Sequence, residues 1–171
     1  MQNQNKKTKI FLVLFLSFIM LYQIEAEEKQ KLQIVPEPVS ITEGNGKFIF
    51  DKSVILVVDT TNVLLENSAY LFLETIKRST GLKLQVRRKA ANQKSVSLIL
   101  NSSLNQVFGN EAYVLEVTSN TIKIEAITSA GIFYGLQTLL KLFPPQIESK
   151  EAVWNTDWSV PGFRDLGNCL S

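Results

Sequence analysis

The chain has 171 residues, of which 45% are hydrophobic and 20% charged, and its formal net charge is +2 at pH 7. It contains no histidine, which excludes Ser-His-Asp triads, Cys-His pairs, histidine acid–base catalysis and zinc or copper sites of ordinary composition. The single cysteine, Cys169, cannot form an internal disulfide, so a folded domain must be stabilised by a hydrophobic core.

The N-terminus has the pattern of a secretory signal peptide. Three lysines precede an apolar run over residues 10–22, and Ala26 offers a cleavage point. The run is shorter than the roughly 20 apolar residues that a membrane span needs, and an uncleaved anchor is the alternative interpretation. We predict a signal peptide over residues 1–26, export to the periplasm or the medium, and no stable membrane anchor after cleavage.

Removal of this segment changes the charge balance. It holds three lysines and one glutamate, so residues 27–171 carry fifteen basic and fifteen acidic side chains. A neutral domain gives no electrostatic reason to expect nucleic acid as a partner. The short basic cluster of Arg87, Arg88 and Lys89 is interpreted as the solvated end of a strand.

Residues 27–33 are mostly polar and without periodicity, and we predict that they lead into the domain. Pro36 and Pro38 favour extended backbone at a sheet edge, and the Gly-Asn-Gly sequence at residues 44–46 predicts a turn. Two short strands follow, "KFIF" and "SVILVV", with apolar side chains at alternating positions. The members of this alternating set are Phe48, Phe50, Val54, Leu56 and Val58.

A helical pattern begins at residue 61. Thr61 or Asn62 can cap its N-terminus, and Gly81 fits the stop at its C-terminus. The residues assigned to its buried face are Leu64, Leu65, Tyr70, Leu71, Leu73 and Ile76, with Phe72 as a further candidate.

Four strands are predicted after this helix. "LKLQVRR" alternates through Leu82, Leu84 and Val86, and "SVSLIL" covers residues 95–100. "EAYVLEV" and "NTIKIEAI" are joined by a short polar connection around Asn120, which is a hairpin signal. The side chains assigned to one face of this hairpin are Tyr113, Leu115, Val117, Ile122, Ile124 and Ala126. We interpret the hairpin as a meander that ends the sheet.

The apolar period becomes 3.6 residues after Thr128, which predicts a second helix. Ser129 is expected to cap its start, Lys141 lies in its last turn, and Pro144 with Pro145 prevents its continuation. Gly131 and Gly135 lie one turn apart and predict close packing of the helix backbone. The predicted apolar face consists of Ile132, Leu136, Leu139, Leu140 and Phe143. The element order favours an α+β fold in which one sheet carries its helices on one face.

Sugar hydrolysis usually needs two carboxyl groups that flank the bond, and the sequence does not place such a pair. Glu111 and Glu116 have opposite strand parity, and further acidic residues are scattered through an irregular tail. Those residues are Glu148, Glu151, Asp157 and Asp165. We therefore predict no catalytic, cofactor-binding or metal-binding residues in this chain, and no cofactor.

Three motifs, taken together and in order, resemble the domain that precedes the catalytic barrel of glycoside hydrolase family 20. They are "LQIVPEPVSI", "EAYVLEV" with "NTIKIEA", and "SAGIFYGLQTLLKL". Ala112 departs from the family pattern, which has glycine there. The residues that match the last family motif are Gly131, Tyr134, Gly135, Gln137, Thr138 and Leu139.

This resemblance implies a zincin-like α+β domain with a mixed, mostly antiparallel sheet, over residues 34–147. Residues 148–171 are then a linker, with "DWSVP" leading toward a barrel that is truncated. In the family the barrel contains an Asp-Glu pair that acts with the substrate's own acetamido group. A barrel needs about 250 residues, and 21 follow Lys150. The spacing around Arg164 does not support equating it with the substrate-binding arginine of the first barrel strand.

Three functions are consistent with these observations. The resemblance implies the N-terminal domain of a β-N-acetylhexosaminidase, which releases terminal N-acetyl-hexosamine residues from glycans, and this domain would be inactive without the barrel. The second is a freestanding module that binds glycan or docks onto a separately encoded barrel. The third, a complete small hydrolase that uses its own carboxylates, is the least favoured.

Overall fold

The computed structural model describes residues 40–59, 62–90, 92–104 and 109–167. The predicted signal peptide, the lead-in, Pro36, Pro38 and Cys169 lie outside these described residues.

The described residues form two α-helices, one 3₁₀ helix and seven strands. In chain order these are β1 (Ser40–Ile49), β2 (Ile55–Val57), α1 (Val63–Thr80), β3 (Gln85–Arg87), β4 (Ser95–Leu100), β5 (Tyr113–Val117), β6 (Thr121–Ala126), α2 (Ser129–Lys141), the 3₁₀ helix (Pro145–Glu148) and β7 (Ser159–Gly167).

The strands form one sheet in the order β1-β7-β5-β6-β4-β2-β3. The pairs β1–β7, β7–β5 and β5–β6 are antiparallel, whereas β6–β4, β4–β2 and β2–β3 are parallel. The predicted α+β class and mixed sheet are therefore confirmed. The predicted hairpin is also confirmed, because Tyr113 lies opposite Ala126 and Val117 opposite Ile122.

The interpretation of this hairpin as the end of the sheet is wrong. Strand β6 continues the sheet by pairing in parallel with β4, and β7 pairs with β5 on the other side. Strand β7 lies within residues 148–171, which the sequence analysis assigned to a linker, and its Val160 and Phe163 are buried. The folded sheet thus extends past residue 147. Pro161 and Gly162 interrupt the apolar alternation and hide this strand in the sequence.

Residues 44–46 do not form the predicted turn, because β1 runs through them without a break. The register between β1 and β7 shifts between Glu43 and Lys47. Gly46 has a φ of 85°, which favours glycine. A Cβ atom on Gly44 would lie 3.0 Å from the carbonyl carbon of Gly162, so this glycine permits close approach of the two strands at the irregularity.

Helix α1 begins and ends where the sequence predicts. The Asn62 side chain accepts hydrogen bonds from the backbone N–H groups of Leu64 and Leu65, at 3.1 and 3.2 Å. Gly81, with a φ of 74°, donates its N–H to the Lys77 carbonyl at 3.0 Å. These contacts satisfy backbone groups that a helix leaves unpaired at its ends.

The predicted buried face of α1 is only partly correct. Its buried apolar residues are Leu65, Ala69, Phe72 and Ile76. These positions follow the spacing i, i+4, i+7 and i+11, which gives a single stripe. Leu64, Tyr70 and Leu71 were assigned to the core but are 62%, 61% and 55% exposed.

The alternating residues of the first two strands are confirmed as core. All five members of that set are at most 4% exposed, and they belong to one cluster with the apolar residues of the hairpin and of α2. Strand β3 contributes less than predicted. It is only three residues long, and Val86 is exposed, whereas Leu82 and Leu84 precede the strand and pack partly buried against the core.

Helix α2 is confirmed, but its cap is Thr128 rather than Ser129. The Thr128 backbone is extended, and its hydroxyl oxygen accepts from the Gly131 N–H at 3.2 Å while the hydroxyl donates to the Asn110 carbonyl.

The prolines end α2 as predicted, and Pro145 begins the 3₁₀ helix. Of the predicted apolar face, Ile132, Leu136, Leu139 and Phe143 are buried and Leu140 is partly buried.

The two glycines of α2 lie directly on the hairpin, as their spacing predicts. A Cβ atom on Gly131 would collide with the Ala112 carbonyl oxygen and lie 2.7 Å from the Ala126 Cβ atom. A Cβ atom on Gly135 would lie 2.5 Å from the Ile124 Cγ2 atom. Neither position has room for a side chain without movement of the β5–β6 hairpin or of Ile124.

We expect Gly131→Ala to lower the free energy of unfolding by about 2 kcal/mol. Alanine favours a helix over glycine by about 1 kcal/mol, but overpacking costs about 1–3 kcal/mol and here meets rigid backbone. Ala130→Gly is the matched control, because Ala130 is exposed on the same helix turn and reports propensity alone. Urea unfolding of both variants measures the difference. A Gly131→Ala variant as stable as the unmodified chain would contradict the close contact.

Candidate functional site

The carboxyl groups considered as catalytic candidates do not converge in the structure. The Glu116 carboxylate lies 3.9 Å from the Lys123 ammonium, which also contacts Glu125 at 3.2 Å. Asp157 forms an exposed ion pair with Lys47 at 2.6 Å. Glu111 is partly buried in a loop, and Asp165 lies on β7. Glu148 is the last residue of the 3₁₀ helix and Glu151 follows it, and both are exposed.

Hydrogen bonding favours the ionised form of two aspartates. Contacts from the Ser53 hydroxyl and backbone N–H, with help from Lys94, hold the pKa of Asp51 below its usual value. The hydrogen bond from Lys47 lowers the pKa of Asp157. A general acid in sugar hydrolysis needs the opposite shift, because it must keep its proton near neutral pH. Asp51 therefore fits a role in stabilising its turn, and Asp157 fits a role as a surface ion-pair partner.

The described residues also lack two further kinds of feature. In that part of the chain, no group of three or more Cys, Asp or Glu side chains could hold a metal ion. Its helices include none with the length and apolar character needed to cross a membrane.

Arg164 is an exposed residue of β7, which lies within the sheet. Its register partners are Thr42 on β1 and Glu116 on β5. Arg164 therefore belongs to the same sheet as the hairpin.

A groove separates the outer surfaces of the two helices. Its first half has a volume of about 280 Å³. Leu71 contributes to this half from α1, and Phe133 and Leu140 contribute from α2. The full lining is Ser68, Leu71, Phe72, Thr75, Phe133, Leu136, Gln137 and Leu140.

The groove continues into a second, more polar half with a volume of about 500 Å³. The two halves share Thr75, Gln137 and Leu140. The other residues that line the second half are Arg78, Lys141, Phe143, Pro145, Ile147 and Glu148. Since Arg78 and Lys141 lie in the last turns of their helices, α1 and α2 run in the same direction. We call the two halves together the α1–α2 groove.

Hydrogen bonds fix the polar end of the α1–α2 groove. The Arg78 Nε group donates to the Ser149 carbonyl at 3.0 Å, and the Ser79 hydroxyl donates to the Ile147 carbonyl at 2.6 Å. The Val153 N–H donates to the Ser79 carbonyl at 2.9 Å. These bonds attach the segment around the 3₁₀ helix to the end of α1, and this segment forms one wall of the groove.

The two residues of the Gln-Thr pair of α2 differ in burial. Thr138 is buried, and its hydroxyl lies 2.6 Å from the Tyr113 hydroxyl. Gln137 is exposed and lines both halves of the groove. The sequence analysis placed neither residue in a functional site, and the groove itself was not predicted.

The sequence profile of glycosyl hydrolase family 20, domain 2, matches residues 31–164. The chain belongs to this family. A curated relative, the β-hexosaminidase of Porphyromonas gingivalis, is 28% identical over 142 residues. That alignment covers 82% of this chain but 18% of the relative.

Solved structures of family 20 enzymes share this fold. The N-acetyl-β-hexosaminidase of Streptomyces plicatus superposes with a TM-score of 0.69, and the β-N-acetylhexosaminidase of Streptomyces coelicolor with 0.70. Both are 24% identical, and in each case the match covers 79% of this chain and 26% of the solved chain. The family 20 domain described here thus spans about a quarter or less of these relatives.

Proposed function

We propose that this chain serves as the non-catalytic domain of a β-hexosaminidase, that it has no hydrolase activity by itself, and that it packs against a catalytic barrel. The observation that carries the proposal is the match to domain 2 of family 20 over residues 31–164, combined with coverage of 18% and 26% of the relatives. Two of the candidate carboxyls, Glu116 and Asp157, form ion pairs, and the lowered pKa of Asp157 does not suit a general acid, which supports surface roles for them.

The exposed apolar side chains beside the groove favour a docking role over a sugar-binding role. Leu71 lines the α1–α2 groove, Leu64 lies two turns before it on α1, and both side chains are more than half exposed. Large apolar side chains that are exposed together on one element are typical of protein interfaces. Trp154, the aromatic side chain that would best stack on a sugar, is 75% exposed but does not line either half of the groove.

Two finer features belong to the same proposal. The pattern of residues 1–26 supports export to the periplasm or the medium. The order of strands and helices supports a zincin-like shape for the domain.

The activity part of the proposal is tested with a chromogenic N-acetylglucosaminide. We expect no turnover by the purified chain under conditions in which the Porphyromonas gingivalis β-hexosaminidase hydrolyses the substrate. Saturable hydrolysis that co-elutes with the chain in size-exclusion chromatography would overturn the proposal and favour a complete small hydrolase. Circular dichroism of the same sample establishes that the tested chain is folded.

A further inference from the structure

We infer that Trp154 and the edge strand β3 form a surface that binds an acidic glycan, with the indole against a sugar ring and the cations of β3 against the anionic groups. We call it the Trp154–β3 surface. The inference rests on the proposed function for the class of ligand, a glycan, and adds a binding site away from the α1–α2 groove, which Trp154 does not line.

Trp154 is an exposed aromatic side chain with a well-defined position. It is 75% exposed, and a Cβ atom at Gly81 would lie 3.2 Å from its Cη2 atom, so this glycine lets the edge of the indole lie against the end of α1. The Val153 N–H donates to the Ser79 carbonyl at 2.9 Å, which fixes the backbone just before the indole. The indole offers a flat apolar ring and one N–H donor, which suit the apolar face and a hydroxyl of a sugar.

The segment that follows Gly81 is strongly basic. Residues 83–94 contain five cationic and no acidic side chains, whereas residues 27–171 as a whole are neutral. Lys94 pairs with Asp51 at 3.2 Å. Lys83, Arg87 and Lys89 are exposed. Positive charge is therefore concentrated at this edge of the sheet, where it favours an anionic ligand.

The alternation of the chain places these cations beside the indole and on one side of the strand. Leu82 and Leu84 pack against the core, so Lys83 between them points to the opposite side, with Gln85 and Arg87 at the next alternate positions. The Arg87 Nη2 group donates to the Gln85 Oε1 atom at 2.8 Å, in agreement with a shared side. At about 3.3 Å per residue, Lys83 and Arg87 lie about 13 Å apart along the chain. Because β3 is the last strand of the sheet order, a linear ligand can follow its edge.

The combination of ring and charge specifies the ligand. Cations alone would bind any polyanion, and an indole alone would bind a neutral sugar equally well. Nucleic acid also combines stacking with negative charge, but the neutral charge of the domain does not favour it. A glycan with carboxylate or sulfate groups uses both parts of the Trp154–β3 surface and agrees with the proposed function.

The test is titration of the full chain with a heparin octasaccharide, measured by calorimetry and by tryptophan fluorescence. The chain has two tryptophans, and Trp158 is buried, so a change in fluorescence on binding reports on Trp154. We expect saturable binding that weakens as the NaCl concentration is raised. An uncharged chitin hexasaccharide and a single-stranded DNA matched for charge should bind more weakly.

Substitutions locate the binding surface. Trp154→Ala should weaken heparin binding about fivefold or more through the loss of stacking. The double variant Lys83→Gln with Arg87→Gln should weaken it about tenfold. Lys47→Gln is the matched control, because Lys47 is an exposed lysine on the opposite edge strand, β1, and this variant should bind as the unmodified chain does. Urea unfolding establishes that each variant is folded.

The outcomes separate this inference from the proposed function. Failure of heparin to bind, or equal binding by Trp154→Ala, the double variant and the unmodified chain, would overturn the Trp154–β3 surface. Equal affinity for the DNA would overturn the assignment to a glycan, and equal affinity for the chitin hexasaccharide would overturn the role of the cations. None of these results changes the turnover assay, which tests the proposed function by itself.

Discussion

A chain that ends after Asp157 is expected not to form the sheet. Strand β7 lies between β1 and β5 and pairs with both, so its removal separates β1 from the rest of the sheet. The truncation also removes three buried side chains, Trp158, Val160 and Phe163. Each large apolar side chain contributes about 1.5–3 kcal/mol when fully buried. Their sum is comparable with the whole stability of a typical domain, about 5–15 kcal/mol.

A chain that ends after Gly167 is the matched control, because it keeps all of β7. We expect it to show the circular dichroism spectrum and the cooperative urea transition of the full chain, whereas the shorter chain should show neither. A cooperative transition in the chain that ends after Asp157 would mean that the sheet is stable without β7. The domain would then be complete near residue 147, where the sequence analysis set its limit.

Elements with a regular local pattern could be predicted from the sequence. The hairpin follows from two alternating runs around Asn120, and both helices follow from their apolar period and their stop signals. Gly131 and Gly135 indicated close packing because glycine within a helix is unfavourable unless another element needs the space. In each case the information lies within about twenty neighbouring residues.

Features that depend on distant contacts could not be predicted in the same way. Strand β7 is recognisable only from its partners, since Pro161 and Gly162 break its alternation. The glycines at 44 and 46 have the composition of a turn, yet the approach of Gly162 turns them into a strand irregularity. The parallel pairing of β6 with β4 brings together strands that are separated in the chain by β5, and no local signal encodes such pairing.

The candidate docking surface was hidden for a related reason. Helical periodicity predicts that the leucines of α1 are buried, but this helix carries more apolar side chains than one buried stripe can hold. Which of them face the sheet depends on how α1 and α2 pack together, and that arrangement is not encoded in α1 alone.

Substitution of two adjacent residues tests the orientation of α1 directly. Phe72 is 1% exposed and Leu71 is 55% exposed. We expect Phe72→Ala to lower the free energy of unfolding by about 3–5 kcal/mol, the usual cost of removing a buried aromatic side chain. Leu71→Ala should change it by no more than about 0.5 kcal/mol, as for most surface substitutions. Urea unfolding of both variants gives the two values.

The comparison of Phe72→Ala with Leu71→Ala bears on function because Phe72 is expected to stabilise the fold, whereas Leu71 is expected to be available for binding. If Leu71 is dispensable for stability, its exposure on a helix with a complete core stripe has no structural cause within the domain. Equal destabilisation by Phe72→Ala and Leu71→Ala would instead place both residues in the core and remove the apolar contact from the α1–α2 groove. A large loss at Phe72 together with a small one at Leu71 would leave Leu71 available to the catalytic barrel.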